Sequence, residues 1–110
     1  MTLGDVVTVA DCAGDCTGKP RPDVIVQSNL LAALNSVTVG PLTSGDADAL
    51  AVRLMVQATA ILPIDRISRT AIDKIRTVRR GWIGPQIGRL SAADMRRVNG
   101  AMAVFLGIGD

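Results

Sequence analysis

Short apolar runs rich in valine and isoleucine alternate with polar and glycine-containing breaks along most of the chain. Two of these runs, at residues 5–9 and 23–27, are β-branched, which is typical of buried strands. Further strands are predicted over residues 37–43, 50–56, 68–78 and 87–90. In the third run, Gly40 and Pro41 predict a bulge or an edge position, because proline cannot donate a ladder hydrogen bond.

A helical periodicity follows Ser91 near the C-terminal end. Ser91 and Asp94 resemble a capping box, with Asp in place of the usual Glu. One apolar stripe at helical spacing comes next, formed by Met95, Val98, Met102 and Phe105. We expect this stripe to pack against a sheet and the helix to end at Gly107. A brief helical turn is also predicted within residues 28–34.

Together these elements predict a mainly β protein with a C-terminal helix. Five or six short strands and one terminal helix favour a small curved antiparallel sheet or a half-open barrel. The length suits one domain that spans residues 1–110. No apolar run approaches the roughly 18 residues of a membrane helix, and no secretory signal is visible, so we expect a cytoplasmic protein without membrane association.

The net charge of +2 conceals a strong asymmetry along the chain. Residues 1–50 carry a net charge of −4 and residues 51–110 one of +6. Ten of the eleven basic residues after position 20 are arginine, which favours bidentate contact with phosphate or carboxylate groups. The pattern predicts a surface facing a polyanion or an acidic protein partner, with a solvated basic face as the alternative.

The chain contains no histidine, tyrosine or glutamate, which removes the usual general base and most metal sites. We therefore expect no metal and no cofactor, and chemistry restricted to Arg, Lys, Asp, Ser, Thr or Cys. Cys12 and Cys16 form a C-x3-C pair that makes a poor zinc site without further ligands. We interpret the two cysteines as incidental, with redox control of their loop as the alternative.

Residues 19–28 (KPRPDVIVQS) combine a charged, proline-stiffened segment with the buried strand that follows it. Pro20 and Pro22 favour extended backbone around Arg21, which we expect at the rim of the sheet beside a glycine-flanked loop. A guanidinium in that position is suited to binding an anion. The alternative is a salt bridge between Arg21 and an aspartate that only supports the fold.

Five segments resemble, in order and spacing, motifs of the MazF/PemK/Kid-type toxins of bacterial toxin–antitoxin systems. They are GDVV at 4–7, KPRPDVIVQS at 19–28, GPLTS at 40–44, IDKIRTV at 72–78 and IGRLS at 87–91. The resemblance covers nearly the whole chain. It implies the half-open, SH3-like barrel of CcdB/Kid-like toxins and a homodimeric, sequence-selective, metal-independent endoribonuclease. It also implies inhibition by an antitoxin, expected to use an acidic, partly disordered segment.

Members of this family cleave single-stranded RNA with the 2′-OH of the RNA itself as the nucleophile. The reaction is assisted by an arginine of the Arg-Pro strand and by a Thr or Ser of the Pro-x-Thr segment. The resemblance maps these roles onto Arg21 and Thr43. The positions expected to contact RNA are Lys19, Ser44, Asp73, Lys74, Arg76 and Arg79. A wider group that could track an RNA backbone is Arg66, Arg69, Arg76, Arg79 and Arg80. Lys74 stands where the family usually has glutamine, and Leu3 where arginine commonly precedes Gly-Asp.

Two other functions remain open on the residues alone. A CcdB-like protein of related architecture would inhibit DNA gyrase by binding, without chemistry. A catalytically inactive relative would only bind RNA or an antitoxin, which the substitution at Lys74 allows. Trp82, the strongest candidate for stacking on a base, is an equally good candidate for a core or dimer residue.

Overall fold

In the computed structural model, which describes residues 2–10, 21–31, 33–43, 53–56 and 68–108, the chain folds into one antiparallel sheet and a C-terminal helix. The strands are β1 Asp5–Val9, β2 Arg21–Ile25, β3 Ser36–Thr43, β4 Arg53–Val56, β5 Ser68–Ala71, β6 Arg76–Arg79 and β7 Ile83–Arg89, followed by helix α1 Ala92–Phe105. Three 3₁₀ turns cover Asn29–Leu31, Ile72–Lys74 and Arg80–Trp82. The mainly β class with a C-terminal helix is confirmed, with seven strands among the described residues instead of the five or six expected.

The strand order is β4-β5-β3-β2-β1-β7, and β6 also pairs with β3. β3 pairs with β6 through Ser36–Val39 and with β5 through Leu42 and Thr43. The bulge or edge expected at Gly40 and Pro41 is wrong, because β3 is continuous and central. Pro41 instead lies where the neighbouring strand changes from β6 to β5, so its missing N–H interrupts no ladder on that side.

The single strand expected over residues 68–78 is divided in the structure. The 3₁₀ turn Ile72–Lys74 separates β5 from β6. Ile72 is completely buried and lies in the same core cluster as Val98 and Ala101 of α1. The chain therefore bends into the core between the two strands, and this bend lets both strands pair with β3.

The last strand is also longer than its predicted range of 87–90, because β7 begins at Ile83 and includes Pro85. Proline cannot donate a ladder hydrogen bond and is therefore uncommon inside a central strand. β7 lies at the end of the strand order, where a proline can leave its outer side unpaired without loss. β2 likewise begins earlier than predicted, at Arg21, and ends at Ile25.

Two apolar clusters cover the two faces of the sheet, because neighbouring side chains of each strand point to opposite faces. The helix-side cluster consists of Val6, Val24, Leu42, Val56, Ile72, Leu90, Val98 and Ala101. The second cluster consists of Val7, Val9, Ile25, Val37, Val39 and Val78, with Trp82 and Ile83 packed against it. Trp82 is thus a half-buried core residue in this chain, the alternative to a stacking role.

The connection between β6 and β7 shows that the sheet curls around the second cluster. β6 and β7 lie at opposite ends of the order β6-β3-β2-β1-β7, about 19 Å apart if the sheet were flat. The chain from Arg79 to Ile83 spans at most about 14 Å. The amide of Ala10, after β1, donates to the carbonyl of Trp82 at 2.9 Å and ties this connection to the sheet. The result is a curved, open antiparallel sheet, which confirms the prediction of a curved antiparallel sheet or half-open barrel.

The helix begins and ends as expected. Ser91 Oγ accepts a hydrogen bond from the Asp94 amide at 3.1 Å, and Gly107 adopts a left-handed conformation with φ of +71°. Phe105 does not belong to the packed stripe, since it is 43% exposed, and Ala101 is buried instead. The last helical turn extends beyond the apolar surface that the described strands offer. None of the described helices is long and apolar enough to cross a membrane.

Candidate functional site

Arg21 and Thr43 lie on neighbouring strands, at the ends where β2 begins and β3 stops. The β2–β3 register pairs Ile25 with Val39 and Asp23 with Pro41. Continued by two residues, this register places Arg21 opposite Thr43. Paired residues of antiparallel strands point to the same face of the sheet, so both side chains lie on the face of the second cluster. Arg21 is exposed to solvent there.

Two more arginines are brought to this face by the strands that pair with β3. Arg69 on β5 lies opposite Thr43, and Arg76 on β6 lies opposite Val39. Arg76 reaches across β3 towards β2, where its Nη2 lies 3.9 Å from Oδ1 of the buried Asp23. We call this set the cationic face; its members are Arg21, Asp23, Thr43, Arg69 and Arg76.

The hydroxyl of Thr43 is the central neutral group of the cationic face. Its Oγ1 is buried and has no hydrogen-bond partner among the residues that the structure describes. A hydroxyl can donate one hydrogen bond and accept two, and a buried hydroxyl without a partner is unfavourable. Thr43 is therefore suited to a hydrogen bond with a ligand that enters between the arginines.

Of the other residues predicted to contact RNA, Asp73 and Lys74 are exposed in the 3₁₀ turn that leads into β6. This turn lies beside the point where β3 changes partner, and Arg76 follows it on the cationic face. Lys19 and Ser44 lie outside the described residues. The structure therefore brings Arg21, Thr43 and Arg76 together and holds Asp73 and Lys74 at their border.

Arg79 is not part of this group. It pairs with Ser36, at the opposite end of β3 from Thr43. Because it is three residues from Arg76 on the same strand, its side chain points to the other face of the sheet. Arg80 is also engaged elsewhere, since its Nε donates to the carbonyl of Leu34 at 2.9 Å. An RNA contact by Arg79 stays a prediction, on a surface separate from the cationic face.

Asp23 is the member of the cationic face that sequence reasoning missed. Its side chain is completely buried, which is unusual because an aspartate in water is ionised at neutral pH. Strand alternation was the available signal, because it places Asp23 on the same face as Arg21 and Ile25. The sequence places Arg69 only within a wider arginine group, because its position opposite Thr43 depends on the β3–β5 register.

The donor set of the described residues does not favour a metal. No group of three or more Cys, Asp or similar ligands comes together within the described parts of the chain. The cationic face contains three guanidinium groups and one carboxylate, and that carboxylate forms an ion pair with Arg76. Guanidinium groups donate hydrogen bonds and accept none, so this surface is suited to phosphate oxygens.

Comparison with known proteins identifies the fold and its family. Residues 2–106 match the model of the PemK-like, MazF-like toxins of type II toxin–antitoxin systems. The chain belongs to this family. It is 42% identical over 108 residues to a protein of Mycolicibacterium smegmatis named "Probable endoribonuclease MazF", and the alignment covers 98% of each chain. The MazF/PemK/Kid-type resemblance read from the five motifs is thereby confirmed.

Solved structures of the same fold include complexes with antitoxins. An endoribonuclease from a mycobacterial species, in complex with its cognate antitoxin, matches with a TM-score of 0.82 and 21% identity over 100% of this chain and 98% of that chain. A MazE–MazF complex from Deinococcus radiodurans matches with a TM-score of 0.74 and 17% identity over 99% and 97%. At these identities the matches show the toxin fold alone. The roles of Arg21 and Thr43 stay predictions.

Proposed function

We propose that this toxin is a sequence-selective, metal-independent endoribonuclease that cleaves single-stranded RNA. The protein acts in the cytoplasm as a homodimer of single toxin domains, each spanning residues 1–110. Membership of the PemK/MazF family and the endoribonuclease name of the relative from M. smegmatis support this activity. The observation that carries the proposal is the β2–β3 register, which, continued by two residues beyond Asp23 and Pro41, sets Arg21 opposite Thr43 on the cationic face.

The reaction uses a nucleophile that the substrate supplies. The 2′-oxygen of one ribose attacks the adjacent phosphorus, the P–O5′ bond breaks, and the products are a 2′,3′-cyclic phosphate and a free 5′-hydroxyl. Negative charge develops on the phosphoryl oxygens in the transition state, and fixed donors aimed at these oxygens lower the barrier. Arg21 supplies charged donors from the open end of the face. Thr43 Oγ1 supplies a neutral hydrogen bond to a phosphoryl oxygen or to the 2′-OH.

Proton transfer is assigned to solvent in this scheme. A guanidinium does not give up its proton in proteins under ordinary conditions, so Arg21 acts as an electrostatic group. Asp23 is buried beside Arg76 and so lies away from bulk water. Because Arg21 is exposed, water reaches this end of the face, where it accepts the 2′-OH proton and protonates the leaving 5′-oxygen.

The expected partners follow from charge and apolar exposure. An antitoxin with an acidic, partly disordered segment would bind the cationic face and exclude RNA from it. Exposed apolar side chains, such as Leu30 in the first 3₁₀ turn and Val104 at the end of α1, offer surface for subunit association. A gyrase inhibitor has less support, since the matching family model is that of the PemK-like, MazF-like toxins.

The test is cleavage of a long single-stranded RNA in the presence of EDTA. Wild-type protein is expected to produce discrete fragments with 2′,3′-cyclic phosphate ends, and a 2′-deoxy substitution at a cleavage site should abolish that cut. Arg21→Ala should lower the cleavage rate by about 100-fold or more. Arg96→Ala is the matched control, because Arg96 is an exposed arginine on α1, away from the cationic face. It should cleave like the wild type.

The alternatives predict different results in the same assay. Intact RNA with wild-type protein in excess, across several sequences, would contradict the ribonuclease proposal. RNA binding without cleavage would then indicate the inactive relative, which the lysine at position 74 allows. Equal loss of activity in Arg21→Ala and Arg96→Ala would remove Arg21 from the catalytic site.

A further inference from the structure

Asp23 is a buried acidic residue in the middle of β2. Its side chain is 0% exposed, and its cross-strand neighbours are the apolar Val7 on β1 and Pro41 on β3. Removing a carboxylate from water is unfavourable unless a positive charge compensates it. An apolar residue would fill this position without that penalty. Aspartate at this position therefore requires a compensating positive charge.

Arg76 supplies the compensating charge from two strands away. It lies opposite Val39 on β3, and its guanidinium extends over β3 to reach Oδ1 of Asp23 at 3.9 Å from Nη2. The Arg76 side chain remains 35% exposed. A guanidinium carries five N–H donors, and this partial exposure leaves part of the group within reach of a ligand.

We propose that Asp23 is a positioning residue of the ribonuclease site, which holds the Arg76 guanidinium over β3 so that its exposed N–H groups meet the RNA phosphate beside Arg21 and Thr43. This inference rests on the proposed function. Asp23 itself is buried and does not touch the substrate. It acts through Arg76, whose long side chain would otherwise sample many rotamers.

This arrangement has an electrostatic consequence that a purely structural aspartate would not have. A carboxylate at 3.9 Å partly offsets the positive charge of Arg76 while it orients that side chain. The Asp23→Asn substitution keeps the size of the side chain and removes its charge. RNA should then bind more tightly, because a full positive charge becomes available to phosphate, and should react more slowly, because Arg76 is no longer held in place.

The experiment measures binding and cleavage separately. Binding is measured with a labelled single-stranded oligodeoxynucleotide, which lacks the 2′-OH and cannot be cleaved, over a series of salt concentrations. In Asp23→Asn the slope of log Kd against log salt should increase by up to about 0.7, the value for one fully neutralised phosphate of a single strand, because Asp23 no longer competes with the bound phosphate for the charge of Arg76. With RNA, kcat should fall by about 10- to 100-fold while KM decreases.

Asp94→Asn is the matched control. It also removes the carboxylate of an Asp–Arg pair, since Arg97 Nη1 lies 3.0 Å from Asp94 Oδ1, but this pair is exposed on α1. The control should leave the salt slope, kcat and KM unchanged. An unchanged salt slope in Asp23→Asn would overturn the proposal whether or not cleavage is observed. Absence of cleavage by the wild type would instead contradict the proposed function.

Arg76→Lys tests the same idea if Asp23→Asn fails to fold. Lysine keeps the positive charge that compensates Asp23, but its single ammonium group cannot face the carboxylate and a phosphate as a planar fork does. We expect a folded protein with a salt slope close to the wild-type value and a kcat reduced by about tenfold or more. Wild-type kcat in Arg76→Lys would overturn the positioning role.

Discussion

The Thr43→Val substitution should separate stability from activity, because the two depend on the same hydroxyl in opposite ways. Thr43 Oγ1 is buried without a hydrogen-bond partner among the described residues. A buried polar group left without a partner lowers stability by about 1–3 kcal/mol. Valine has the same shape, lacks the hydroxyl and is favoured in strands. The free energy of unfolding should therefore rise by about 1 kcal/mol, which corresponds to roughly 4 °C in Tm for a domain of this size.

The activity should change in the opposite direction. If Thr43 donates to the reacting phosphoryl group or orients the 2′-OH, loss of one such hydrogen bond reduces the cleavage rate by about 100-fold. The two readouts are thermal unfolding followed by circular dichroism and cleavage of single-stranded RNA. Both proteins must be compared at one concentration, because association of subunits would make Tm depend on concentration.

Thr70→Val is the matched control for this experiment. Thr70 lies on β5 opposite Leu42, one position from the Thr43–Arg69 pair, and it is 1% exposed. Its Oγ1 donates to the carbonyl of Leu54 at 3.4 Å, so its hydroxyl already has a partner. Thr70→Val should lower stability by about 0.5–1.5 kcal/mol and leave the cleavage rate unchanged. If Thr43→Val lowers Tm as much as Thr70→Val does, the hydroxyl of Thr43 serves the fold and the reasoning is refuted.

Three further predictions concern the scaffold. Ser91→Ala removes the side chain that accepts a hydrogen bond from the first turn of α1. It should lower the free energy of unfolding, measured by urea titration, by about 1 kcal/mol. No measurable change would show that this cap does not stabilise the protein. Ile72→Ala should lower the free energy of unfolding by about 2–5 kcal/mol because Ile72 is completely buried. Ile87→Ala, at a position that is 38% exposed, is its control. Similar losses in the two variants would contradict a core role for Ile72. In Gly84→Ala the new Cβ would clash with Oγ1 of Thr8, so Tm should fall. Adding Thr8→Ala to the same protein should restore part of the lost stability. Additive effects of the two substitutions would argue against this contact.

The local elements of this protein are readable in its sequence because each depends on neighbouring residues. Valine-rich runs predict β1 and β3, which the structure confirms within a residue. Ser91 and Gly107 mark the start and the end of α1 through cap geometry that involves only adjacent turns. The curved sheet with a terminal helix follows from this order of elements.

Features that depend on distant neighbours were not predicted correctly. The apolar stripe of α1 included Phe105, but the described strands offer no surface beneath the last turn. The run over 68–78 reads as one strand, but Ile72 turns into the core and divides it. Periodicity describes which residues share a face; it does not describe where the surface beneath them ends.

The candidate site likewise combines residues that the sequence predicts with an arrangement that depends on distant parts of the chain. The sequence alone, through its motifs, singled out Arg21, Thr43 and Arg76, because each stands in a recognisable segment. Their relative positions depend on the tertiary structure. The β2–β3 register, continued by two residues, sets Arg21 opposite Thr43, and the β3–β6 register brings Arg76 within 3.9 Å of Asp23. These registers depend on pairing between residues as distant as Ser36 and Arg79, and a shift of one residue would send every side chain of a strand to the opposite face.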